Sequence, residues 1–436
     1  MANNELQIQN LIFEKIETLI VDYYLESGDF NGISISEIIS ITKTKFSEIA
    51  NHIKNGIKLD RFRTISSDHE MNPHIIRQGF KDQSEQIKSI RFNNRHHTCI
   101  YPTISLLKEK VPFDFEINRP FRRKLSLGIG QLEILFFDVD LLEIYRSDPR
   151  YYYECNEVGG YNGVEDKFFE NENMRERDKI FLKAFGFAYD DDFNRYVAAF
   201  ACDIAELSPE HQNIWYSKRV EKNLKVHPDF YGSQILNKWP DHISIFNAVL
   251  YEQKIINLMV KKMEKPPLFM KEFGDYLENK PKEFAFLLRP TTSEYNSFIL
   301  LMDQLMSENL NKDFFFGDVP LNKVVKHKNG IIENQQKGTI VLLNEWLRKH
   351  LSKTIWDQLE FIISTFRDIR KQRQHPAHII NQNTYCPELI NKQRELMKNT
   401  YEALRIFRCI LSTNPSCIGH DFNIPKAIIE QKIWCI

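Results

Sequence analysis

The segment Arg370-Lys-Gln-Arg373-Gln-His375-Pro-Ala-His378 gathers guanidinium and imidazole groups within nine residues. An arginine fork matches the oxygens of a phosphate and offsets charge growing on them, and an imidazole with a pKa of about 6.5 exchanges protons at neutral pH. Together they suit proton transfer beside a phosphate ester. The apolar residues Ile355, Leu359, Ile362, Phe366 and Ile369 fall at gaps alternating between four and three, which is one face of a helix, and Arg373 continues that face. A charge where the next core side chain belongs must be desolvated, so it has a partner, a ligand or a chemical role. Pro376 predicts that the helix stops near Gln374 and that the chain turns back, which makes His378 the candidate partner. A second frame, Arg370 with His375, fits the same spacing; the first is preferred because Arg373 stays on the stripe.

Four helical segments are expected to position this corner: about 292 to 311, 338 to 351, 353 to 374 and 387 to 412. A polar loop (312 to 337), a tight turn and the Pro376 corner join them, which predicts antiparallel neighbours in a four-helix bundle. The last helix has Pro387 at a first helical position and turns Ile390, Met397, Leu404, Phe407 and Leu411 inward.

A bundle with an Arg-x4-His corner at the end of its third helix resembles the HEPN superfamily, over roughly the final third of the chain. The chemistry such residues perform is metal-independent RNA cleavage. Histidine takes the proton from a ribose 2′-hydroxyl, which attacks its own adjacent phosphate while arginine holds that phosphate. The expected products are a 2′,3′-cyclic phosphate and a 5′-hydroxyl, and DNA, which lacks the 2′-hydroxyl, should resist. The resemblance implies a homodimer in which two corners meet, RNA as partner, and use as a toxin or antiviral defence effector. Gln374 stands where many active members have Asn, Asp or His; Asn381 and Tyr385, just beyond, are candidates to position phosphate or base. The alternative is a non-catalytic nucleic-acid- or protein-binding regulator that uses the bundle for dimerisation. In the toxin or defence role the upstream residues would sense a trigger or hold the nuclease quiet, with an inhibitory or sensor partner; in the regulator reading the N-terminal module would touch nucleic acid or a partner.

Elsewhere the chain offers weaker chemistry. Arg119, Arg122, Arg123 and Lys124 form a compact basic turn and are candidate nucleic-acid contacts. Asp138 and Asp140 lie two apart on a helix expected over Gln131 to Tyr145, so they do not converge on a metal. Asp190-Asp191-Asp192 reads as the cap of a helix over 191 to 207. Arg95 to Cys99 lacks zinc spacing and reads as a polar lead into a strand. No metal and no cofactor are expected.

Lys plus Arg (58) nearly balances Asp plus Glu (59), which excludes a chain-wide basic field and makes any basic site local. Seven cysteines stand singly, as in a reducing cytoplasm. The start lacks the order of a secretory signal, and no apolar run approaches the roughly 20 residues that span a bilayer. The reading is cytoplasmic, with no membrane partner.

The expected fold is mainly α. Residues 1–90 form a helix-turn-helix-like module: helix 9 to 26, a short helix opened by the capping box of Ser34 and Glu37, a third helix from Lys43 to Lys58, and Arg61 to Ile76 as a wing. Residues 91–285 form a central, mostly helical mixed domain with a small sheet or hairpin around Tyr151 to Gly163, 286–415 the HEPN-like bundle, and 416–436 a tail.

Overall fold

A computed structural model describes residues 2–77, 79–170, 174–273, 280–326, 332–374 and 382–435. The chain forms two compact units, one of residues 1–153 with 159–230 and one of 154–158 with 231–436.

The first unit opens with α1 (Ala2–Glu26), β1 (Ile33–Ser34), α2 (Ile35–Thr42) and α3 (Phe46–Lys58). The capping box forms: the Glu37 N–H donates to Ser34 Oγ and the Ser34 N–H donates to the Glu37 carboxylate, each at 3.1 Å. Lys43 ends α2 in the left-handed region, and α3 follows after a short turn with Ile49, Ile53 and Ile57 buried. The strands β2 (Phe62–Ser66) and β3 (Thr98–Pro102), separated by α4 (Gln83–Ser89), join β1 in an antiparallel sheet of order β1-β3-β2. The Arg95–Cys99 segment thus leads into β3, the partner of β2.

After α5 (Pro120–Ser126) come β4 (Ile134–Asp138), β5 (Tyr151–Cys155), β6 (Gly159–Val164), β7 (Phe181–Tyr189), β8 (Arg195–Phe200), β9 (Arg219–Val220) and β10 (Lys225–Val226). They form one seven-stranded antiparallel sheet, order β5-β6-β7-β8-β4-β9, with β10 on β7. The protein is therefore mixed α/β and not mainly α. Two expected helices account for the difference. In the stretch from Gln131 to Tyr145, Leu135 and Phe137 are fully covered on one face of β4, and Ile134 and Phe136 are half-buried on the other. A strand covered on both faces shows no alternation, so its apolar run also fits a helix. In the stretch from 191 to 207, β8 occupies the first half, and only α6 (Ala201–Ala205) is helical. The acidic triplet closes the β7–β8 turn instead of capping a helix: Asp190 Oδ1 accepts the N–H of Asp192 at 3.1 Å and of Asn194 at 2.8 Å.

A methyl group on Gly186 of β7 would lie 2.2 Å from the buried Phe230 ring, so Gly186→Ala is expected to destabilise the fold by about 1–3 kcal/mol in urea titrations. In α6, burial pushes the Asp203 carboxyl up to about 6, with Lys183 opposing the shift. A raised pKa means that folding favours the protonated form. Its stabilisation is complete below the ordinary value of 3.8 and is lost as pH rises through about 6. Asp203→Asn is accordingly expected to be more stable than the parent by about 2 kcal/mol at pH 7.5 and to lose that advantage near pH 4.

The second unit has a helical core made of α7 (Ile245–Lys262), α8 (Thr292–Asp303), α9 (Thr339–His350), α10 (Trp356–Gln374) and α11 (Glu388–Ser412). α7 lies along α11, α10 packs on α11, and α8 and α9 pack on α10. The four-helix bundle is corrected by this arrangement: α7, which lies within the residues 91–285 assigned to the central domain, joins the same core. The polar loop between α8 and α9 carries an antiparallel hairpin, β11 (Asn322–Lys326) with β12 (Ile332–Gln336). Among the described residues, no helix is long and apolar enough to cross a membrane.

Candidate functional site

α10 presents the expected stripe: Leu359, Ile362, Phe366 and Ile369 are buried, and Ile355, just before it, is half-buried. Arg373 extends the stripe by one turn with its side chain 36% exposed, and Arg370 beside it is 28% exposed. Both face Asp303, the last residue of α8, whose side chain is completely buried. Arg370 Nε lies 2.9 Å from Asp303 Oδ1, whereas Arg373 Nε lies 3.9 Å from Oδ2. Arg370 also reaches Glu308 at 3.5 Å. Among the described residues, this 3.9 Å contact is the ion pair recorded for Arg373.

Asp303 is held by charge rather than by directed bonds. Neither carboxylate oxygen receives a hydrogen bond of good geometry among the described residues. Burial therefore pushes its pKa above the usual carboxylate range although Arg370 pulls the other way. Immediately after Asp303 the helix widens into a π-turn over Gln304–Glu308, a backbone irregularity that recurs at functional sites. On the same side the Tyr295 hydroxyl donates to Gln372 Oε1 at 2.7 Å, and burial pushes that phenol up to about 12.

Residues 383–385 meet the start of α8. Asn383 Oδ1 accepts the Ser293 N–H at 3.0 Å, the Thr384 N–H donates to Thr292 Oγ1 at 3.0 Å, and Tyr385 bridges to Thr291 with its side chain exposed. Residues 370–373 and 383–385 are thus both fastened to one helix. His375, Pro376, His378 and Asn381 lie outside the described residues, and Gln374 is an exposed side chain at the end of α10. Asp303, Glu308 and Tyr295 do not stand out in the sequence as site residues. Asp303 was findable by the rule that found Arg373, since it continues the buried positions Tyr295 and Ile299 at helical spacing.

The basic turn on α5 has its charges largely engaged. Arg122 Nε sits 2.8 Å from Glu116, Arg119 lies 3.8 Å from the same carboxylate, and Arg123 donates to the carbonyls of Pro112 and Phe115. Lys124 lies over the Tyr216 ring, and burial lowers its pKa. The three arginines fasten the 112–118 loop to α5. Asp140 pairs with Lys218 at 2.8 Å, and among the described residues no cluster of His, Cys, Asp or Glu is set to hold a metal ion.

No family model matches this sequence, and no curated protein or solved structure is significantly similar to it.

Proposed function

We propose that the chain is a metal-independent RNA endonuclease, with Arg373 gripping the scissile phosphate and His378 taking the 2′-hydroxyl proton. The supporting observation is the unequal sharing of Asp303: Arg370 takes the close ion pair at 2.9 Å, while Arg373 stands 3.9 Å away and 36% exposed, where its guanidinium can meet an external anion. A guanidinium steadied from behind by a buried carboxylate loses little freedom on meeting a phosphate, which favours binding. The histidine then needs no metal to start intramolecular attack on that phosphate. Pairing of two chains, as the HEPN resemblance implies, would double the basic charge facing RNA. A toxin or antiviral effector role follows from that resemblance, with the remaining residues sensing a trigger.

The test is cleavage of labelled single-stranded RNA by the purified protein in EDTA. Cleavage leaving 2′,3′-cyclic phosphate ends, lost in His378→Ala and in Arg373→Ala, supports the proposal; a His375→Ala variant decides the frame. RNA bound but never cut transfers the corner to the regulator reading.

A further inference from the structure

The exposed face of α3 carries a second basic surface, with Glu48 in the first turn as its one acidic residue, and its lysines have no ion-pair partner among the described residues. Ser47, Asn51, Lys54, Asn55 and Lys58 follow one another at intervals of four, three, one and three, on the side opposite the buried Ile49, Ile53 and Ile57. All but Lys54, which is half-buried, are exposed. Lys45, at the start of the helix, adds a further exposed amine. Among the described residues, none of these lysines has an ion-pair partner, and neither asparagine side chain makes a hydrogen bond. This is the opposite of the α5 turn, where Glu116 and backbone carbonyls occupy the arginines. The charge is also regional: residues 43 to 97 hold eleven Lys and Arg against six Asp and Glu, a net +5, in a chain whose total is −1.

We infer that this face binds duplex DNA, with α3 in the major groove. A helix set against a preceding short helix across a tight turn, with a strand pair after it, is the arrangement that presents one helix to a groove about 12 Å wide. Asparagine matches the paired donor and acceptor of adenine in that groove, and lysines at either end of the helix reach the flanking phosphates. A-form RNA offers a major groove too deep and narrow for a helix, so the surface discriminates in favour of DNA. Asn51 and Asn55 carry sequence preference; Lys45, Lys54 and Lys58 carry affinity.

The inference stands apart from RNA cleavage and is tested on the full chain by fluorescence anisotropy with a random-sequence 20-base-pair DNA duplex at low salt. Binding is expected to weaken at least tenfold in the Lys54→Glu/Lys58→Glu variant. In the Lys54→Gln/Lys58→Gln variant, which adds no negative charge, the slope of log affinity against log salt should become shallower by about 2, near 0.9 for each phosphate no longer neutralised. Arg373→Ala should leave DNA binding unchanged, and both lysine variants should leave RNA cleavage and the melting temperature unchanged. The inference is overturned by no binding to the duplex, by binding indifferent to both lysine variants, or by equal binding of an RNA duplex with the same dependence on Lys54 and Lys58.

Discussion

Replacing His378 by alanine is expected to slow single-turnover RNA cleavage by about 10²–10⁴-fold, the usual worth of a positioned general base, and replacing Arg373 by about 10²–10³-fold, the worth of one donor to a developing oxyanion. The two losses should differ in kind. Without His378 the dependence of the rate on pH that a histidine base confers should disappear. Without Arg373 the profile should keep its shape at a lower level. Arg370 supplies the internal control, because it makes the close contact with the buried Asp303 carboxylate. Arg370→Ala leaves that carboxylate to a guanidinium 3.9 Å away, so it is expected to lower the melting temperature more than Arg373→Ala does. Cleavage that survives Arg373→Ala while the melting temperature falls would make Arg373 a structural partner of Asp303 and end its assignment to the phosphate.

The helices that were legible in the sequence are those with one wet face. α10 and α11 bury one stripe each, so a period of 3.6 residues stands out, and their bounds fall within a few residues of the expected ones. α2 was legible for another reason: Ser34 and Glu37 satisfy each other's backbone donors locally, whatever surrounds them. β4 was not legible, because neighbours on both sides, β8 and β9, and cover on both faces leave no polar alternation. β8 hid for the same reason: five of its six residues are buried. The site divides along the same line. Arg373 was visible as a charge that breaks an apolar stripe, a property of one helix. That Arg370, and not Arg373, takes the tighter contact with Asp303 depends on how α8 lies against α10, which no local spacing encodes.

The same kind of long-range contact produces the largest expected effect on stability. Arg408 of α11 meets Glu252 of α7 at 2.6 Å across 156 residues of chain, with Glu252 fully buried and Arg408 11% exposed. The pair is imperfectly satisfied: Glu252 Oε1 has no hydrogen bond among the described residues, and burial raises the Glu252 pKa despite the attraction of Arg408. Arg408→Met keeps the aliphatic packing but strands a carboxylate between two helices, at an expected cost of about 3–5 kcal/mol at neutral pH in urea titrations. Adding Glu252→Met should restore most of that loss, since two apolar side chains of similar volume avoid the desolvation that the ion pair must offset. The sign of the pH dependence separates this account from lost packing. A carboxyl with a raised folded-state pKa stabilises fully below its unfolded value and loses that contribution as pH rises through the folded value. Removing Arg408 raises the folded value further, so the deficit of Arg408→Met should shrink as the pH falls and be smaller at pH 5 than at pH 8. A deficit equal at both values, or one that Glu252→Met does not relieve, would mean that the α7–α11 seam depends on the shape of Arg408 and not on its charge.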